Sequence, residues 1–114
     1  MADCLFCKII KGEIPSQKVY EDDLTYAFRD ISPQTPTHVL VIPKTHVANI
    51  AEAADQLDDT TLAACLKTCA KVARMEGLEK GFRVVSNCGD DACQSVHHLH
   101  FHVMGGRAMT GEMG

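Results

Sequence analysis

Short apolar runs alternate with polar breaks along most of the chain, and one long helical stripe interrupts them. Val19–Tyr20 and Leu24–Phe28 predict two strands, with the acidic EDD stretch as the turn between them. DISPQTPTH carries two prolines and several turn formers, so it reads as a loop. HVLVIP, residues 38–43, is apolar and β-branched and predicts a central strand ending at Pro43. Residues 46–53 read as a short helix, and LFCKII at 5–10 as either a helical turn or a buried strand. From Asp58 to Met75, the residues Leu62, Cys65, Leu66, Cys69, Val72 and Ala73 recur at the spacing of one buried helix face. Asp58 and Asp59 suit its start and Gly77 its end. FRVVS at 82–86 predicts a strand, NCGDDAC a polar loop, and 95–104 a long final strand. There is no internal repeat and no low-complexity linker. The order predicts an α+β domain over 1–114, a mainly antiparallel sheet with one helix across a face.

The final strand holds HHLHFHV, with four of the six histidines. Alternate strand side chains share a face. Val96, His98, His100, His102 and Met104 therefore line one side, and His97, Leu99, Phe101 and Val103 the other. One face is expected to be buried and the other to present a row of imidazoles. Two neighbouring histidines of the row could chelate one ion, but all three could not without a bend. Residues i and i+2 lie ~7 Å apart and i and i+4 ~13 Å apart, while zinc–nitrogen bonds are only ~2.1 Å. At least one imidazole is left for acid–base or nucleophilic work. An imidazole attacks phosphorus from one nitrogen while an acceptor holds the N–H of the other.

Length and composition narrow the picture. At 114 residues the chain fits one small domain, whose core a second copy could extend. A net charge of −4 argues against a broad nucleic-acid surface, though not against a small phosphate-bearing ligand. The first residues do not read as a signal peptide, and no apolar run reaches the ~20 residues of a membrane helix. Six cysteines without a secretory signal indicate a reducing compartment. Cys65 and Cys69 fall on the helix face expected in the core. Cys4-x-x-Cys7 is half a zinc site, or a pair of reduced thiols.

His98-Leu99-His100-Phe101-His102-Val103-Met104 resembles the signature of the histidine triad (HIT) family of nucleotide-binding hydrolases. CLFCKIIKGEIP, VYEDD, AFRDISPQTPTHVLVIPKTH and QSV resemble further segments of that family in order, and GGRAM resembles its Hint-type, nucleoside phosphoramidase branch. The resemblance implies a five-stranded antiparallel sheet with one long and one short helix, dimerising into ten strands. It implies hydrolysis of AMP–N or GMP–N conjugates to nucleoside monophosphate and amine. His100 would be the nucleophile and form a nucleotidyl-histidine. His102 would bond the phosphate and Ser95 would contact the leaving group. Asn87 would lie beside the phosphate, Gln94 would join the nucleotide contacts, and Asp30 would bind the ribose hydroxyls. His38 would support the triad. Phe6, Ile9, Ile14, Phe28 and Ile31 would sandwich the base. His46 and His98 would complete a structural zinc site with Cys4 and Cys7, and the chemistry itself would need no metal. A cytoplasmic location, with the nucleus as a further one, is implied too.

Several positions depart from the branch. There is no Trp near the C-terminus, Cys93 stands where a Gly is usual before QSV, and Arg29 neighbours the ribose position. A dinucleoside-polyphosphate hydrolase of the same family is a second reading. A nucleotide- or zinc-binding regulatory module with little turnover is a third.

Overall fold

Residues 4–113 are described by the computed structural model, so the ends of the expected 1–114 domain lie outside the described residues. The elements are α1 (Leu5–Ile10), β1 (Lys18–Glu21), β2 (Thr25–Arg29), β3 (Thr37–Pro43), α2 (Ile50–Gln56), α3 (Asp59–Met75), β4 (Phe82–Val85) and β5 (Phe101–Gly105). The five strands form one antiparallel sheet in the order β1-β2-β3-β5-β4. This is the expected architecture, with LFCKII settled as a third helix.

Local chemistry explains the boundaries. Asp22 closes the first hairpin by accepting the Leu24 and Thr25 amides and the Thr25 hydroxyl. Asn49 caps α2 by accepting the Glu52 amide, which starts that helix at residue 50 rather than 46. Asp58 caps α3 through the Thr61 amide. Gly77 ends it at φ +71°, a left-handed conformation that costs a side-chain-bearing residue energy.

Each face of the sheet buries a different core. Ala27, Val39, Val41, Phe101 and Val103 pack with Cys65, Cys69, Val72 and Ala73 of α3. The α3 stripe is rotated from the expected one. Thr61 and Thr68 are buried, and Leu66 is exposed. Thr68 satisfies its hydroxyl against buried Thr25 at 3.0 Å. Tyr26, Phe28, Leu40 and Ile42 face the other way and are covered by Phe6 and Ile9 of α1. That second face also carries His38 and His102.

The expected strand over 95–104 is a strand only from Phe101. Val41 opposite Phe101 is the last β3–β5 pair, and Pro43 beyond it has no N–H to continue the ladder. The preceding backbone groups find other partners. The Leu99 amide donates to the Val47 carbonyl at 2.7 Å, and the Ser86 hydroxyl donates to the His100 carbonyl at 2.8 Å.

Candidate functional site

His98 and His100 are almost wholly buried, at 0% and 4% exposure, against the expectation of a row open on one face. The physical reason is α1. Phe6 packs edge-on against the rings of both His98 and His100 and against Phe28. His102 remains partly open, and His97 is exposed at a bend.

His100 has one nitrogen committed. Its Nδ1–H donates to the carbonyl of His98 at 2.7 Å, so the neutral ring carries its lone pair at Nε2. Burial lowers its pKa, which keeps the ring neutral. A neutral imidazole with Nδ1–H held and Nε2 free is the nucleophilic form.

His102 and His38 form a second arrangement. His38 Nδ1 accepts the Gln34 backbone amide at 3.0 Å. Its proton therefore sits on Nε2 and is donated to His102 Nδ1 at 2.8 Å. His102 is left with Nε2–H as its donor. Asp30 Oδ2 lies 3.4 Å from His38 Nε2 and 4.0 Å from His102 Nδ1, while Asp30 Oδ1 accepts the Ser32 amide at 2.8 Å. Burial lowers the pKa of both imidazoles, that of His102 to about 4, and the Asp30 charge opposes the shift. Asp30, His38 and His102 are near enough to hold a metal ion. The Gln34 amide argues otherwise, because a metal on Nε2 would require a proton on Nδ1, where Gln34 already donates.

The third arrangement is a ligand set. Cys4, Cys7, His46 and His98 bring one donor atom each within 4.8 Å of one another. His98 Nδ1 is 3.3 Å from Cys4 Sγ, 3.6 Å from Cys7 Sγ and 3.2 Å from His46 Nδ1. Tetrahedral zinc with bonds of 2.1 to 2.3 Å separates its ligands by about 3.4–3.8 Å. His98 Nε2–H donates to the Pro43 carbonyl at 2.9 Å, which frees Nδ1 as a donor and fixes the ring. The residues therefore fit zinc. Burial of Cys7 beside Cys4 raises its thiol pKa in the absence of metal, a cost that binding a cation removes.

Two clefts of about 500 Å³ flank the imidazoles. One is lined by Ile9, Phe28, Asp30 and Ile31, with Ile31 98% exposed at its lip. Ile14 is half-buried beside the Phe6 cluster. The other is lined by His38, Asn87 and His102 together with Glu112 and Met113 from the C-terminal segment. Ser95 is exposed on the loop leading to His98.

Other expected positions serve the scaffold. Gln94 has its side chain fully engaged, donating to the Ala48 and Val96 carbonyls and accepting the Gly89 amide. It staples loops together and has no free donor for a nucleotide. Arg29 borders the same cleft as Asp30 and pairs with Glu76 at 2.7 and 3.0 Å. Cys65 and Cys69 are buried, and burial pushes their thiols up to about 12, so they are inert packing. Cys93 adopts φ +62°, which is why a Gly suits that position. The Gln34 amide and the carbonyls of Pro43 and His98 escaped sequence reasoning because every residue type carries them. Ser86 had a weak signal in its place directly after β4.

A family model described as HIT domain matches residues 11–109. A 14 kDa zinc-binding protein of Brassica juncea is 49% identical over 110 residues, spanning 95% of this chain and 96% of its own. Adenylylsulfatase HINT1 of Arabidopsis thaliana is 48% identical over 108 residues, 93% of this chain and 73% of its own. The crystal structure of a HIT family hydrolase from Legionella pneumophila superposes with a TM-score of 0.93 at 50% identity, covering 98% of this chain and all of that one. With the family model matching residues 11–109 and the solved hydrolase superposing over 98% of the chain, the chain belongs to the HIT domain family.

Proposed function

We propose that this chain is a nucleoside phosphoramidase, hydrolysing AMP–N or GMP–N conjugates through a nucleotidyl-histidine on His100. The observation that carries the reading is the 2.7 Å bond from His100 Nδ1–H to the His98 carbonyl, which leaves Nε2 as an unprotonated nucleophile. In the first step Nε2 forms a bond to the α-phosphorus and the P–N bond breaks. The departing nitrogen takes a proton from His102 Nε2–H or the Ser95 hydroxyl and leaves as an amine. In the second step water attacks phosphorus, gives a proton back to the group that donated in the first step, and the P–Nε2 bond breaks. The sum is AMP–NH–R plus water to AMP plus amine.

The clefts support this assignment of parts. Phe28 and Ile9 form an apolar floor and Ile31 an uncovered lip for a purine. Asp30 stands at the same cleft, in reach of a ribose. Asn87 lines the phosphate side with His102. Cys4, Cys7, His46 and His98 would hold a structural zinc, a closed site that ties α1 to the segment before β5 and leaves no open coordination position. Phe82 and Val84 are exposed on edge strand β4, and Leu66 is exposed on α3. Pairing of two β4 edges would join two sheets into ten strands and make a homodimer. Among the described residues, no helix is long and apolar enough to cross a membrane.

The test is a reaction with an adenosine phosphoramidate that carries a fluorescent amine, followed by intact mass. The expected result is amine release with a transient gain of one AMP unit, both absent in His100→Ala. Equal turnover in the variant would sink the assignment. The plant relative known as an adenylylsulfatase makes adenylyl sulfate the second substrate to try. Sulfate departs without needing a proton, so removing the His102 donor should slow phosphoramidate cleavage more than cleavage of adenylyl sulfate.

A further inference from the structure

We infer that Asp30 is a positioning residue for the His38–His102 pair, holding the His38 Nε2 proton in line with His102 Nδ1 so that His102 keeps Nε2–H as its donor. Its consequence for turnover rests on the phosphoramidase reading. The inference goes beyond a ribose contact, because it gives the carboxylate a task when no sugar is bound.

The geometry assigns that task atom by atom. His38 is 4% exposed and cannot turn its proton elsewhere, because Gln34 N–H occupies Nδ1 at 3.0 Å. Nε2–H donates to His102 Nδ1 at 2.8 Å, and the Asp30 Oδ2 charge stands beside that bond, 3.4 Å from Nε2. The carboxylate is itself fixed. Oδ1 accepts the Ser32 amide at 2.8 Å, and the Asp30 amide donates to the His38 carbonyl at 3.0 Å. Backbone and side chain of Asp30 thus both register against β3. A negative charge beside two packed imidazoles also favours any state in which the pair carries extra positive charge. The direction of the Asp30 contribution at His38 and at His102 agrees.

Asp30→Asn is the informative variant. Its Oδ1 keeps the Ser32 amide, so the loop is undisturbed. Its amide nitrogen replaces Oδ2 and points two hydrogens at His38 Nε2–H, a donor facing a donor. With Nδ1 occupied, His38 cannot escape by changing tautomer. A group that orients an imidazole in this way is worth roughly 10- to 100-fold in activity.

Two measurements decide the matter together. The first compares wild type and D30N on adenosine phosphoramidate and on its 2′,3′-dideoxy analogue. A positioning role lowers kcat by roughly 10- to 100-fold on both substrates, because the loss does not involve the sugar. A role confined to ribose binding raises KM on the ribose substrate alone, with no penalty on the dideoxy one, and that result would overturn the inference. The second reads the ring ¹⁵N shifts of His38 and His102 without substrate. Wild type should show His38 protonated at Nε2 and His102 unprotonated at Nδ1; in D30N those sites stay, and both nitrogens should shift toward their unbonded values as the His38–His102 hydrogen bond loosens. Identical shifts in both proteins would also overturn it. This second measurement stands even if wild type turns over neither phosphoramidate, a result that would count against the phosphoramidase reading alone. Should D30N not fold, Asp30→Ala carries the same pair of comparisons.

Discussion

Two clusters in this fold have nearly the same ingredients and opposite chemistry. In one, His46 and His98 present their Nδ1 atoms 3.2 Å apart beside two cysteines. In the other, His38 Nε2 and His102 Nδ1 stand 2.8 Å apart beside Asp30. Donor type and spacing would admit a cation at either. The difference lies behind the rings. His98 gives its outer N–H to the Pro43 carbonyl, which leaves an inner lone pair free for a metal. His38 takes an outer N–H from Gln34, which places its proton on the inner nitrogen. One backbone carbonyl makes a ligand, and one backbone amide makes a donor. A cluster of imidazoles is thus read from the polarity of the backbone that holds it.

This contrast can be broken from either side. The largest effect is expected from the zinc cluster. Where free zinc stands at 1,000 times its Kd, chelation should cost about 4 kcal/mol of stability. Cys7→Ser should lose the metal and the same stability, read by zinc content and thermal unfolding. His102→Ala should keep full zinc content and lose turnover. If His102→Ala lost zinc as well, the two clusters would be one unit.

Phe6→Ala comes next, because Phe6 packs against His98 of the ligand set and against His100. Deleting a buried ring should cost about 3 kcal/mol and admit water to His100. A denaturation midpoint that did not move would show that α1 is not the cover argued above.

Acid tests both clusters together. Burial holds the pKa of His38, His98 and His102 below the ordinary 6.5, to about 4 for the last two. The unfolded chain therefore binds protons first. Stability is fully present above pH 6.5, falls as pH drops below it, and is lost by about pH 4. For His102 the part lost between pH 7.5 and pH 5 is about 2 kcal/mol. Chemical unfolding at pH 7.5 and pH 5 measures it, and equal stability at the two would contradict buried neutral imidazoles.

The smallest effect belongs to a position outside both clusters. Cys93→Gly should stabilise the protein by about 0.5–1 kcal/mol through relief of its left-handed backbone. Zinc content should stay the same, and a change there would tie the loop to the ligand set.

Much of the site was legible in the residues. The strand pattern placed β2, β3 and β4 to within a residue or two, and HxHxH with CxxC named both clusters. Two expectations failed for instructive reasons. A strand was read back to 95 because alternation of His with apolar residues persists where the ladder has ended, and pairing depends on a partner that stops at Pro43. The row of imidazoles was read as open because nothing in a strand's own pattern shows what lies across it. Gln94 looked like a nucleotide contact until its amide proved to be spent on Gly89, Ala48 and Val96.

Periodicity and motif alone predicted an antiparallel sheet with a long helix, a row of imidazoles on the last strand and a CxxC half site, while the family resemblance pointed to Asp30, His38 and His46. Those follow from side-chain identity and spacing, which are local. Only the folded molecule decided which nitrogen of each imidazole bears the proton, and so which nitrogens stand as donors and which as free lone pairs. Proton position is set by contact with a carbonyl or an amide, and every residue has those. Their partners are chosen by packing between segments as far apart in the chain as residues 43 and 98.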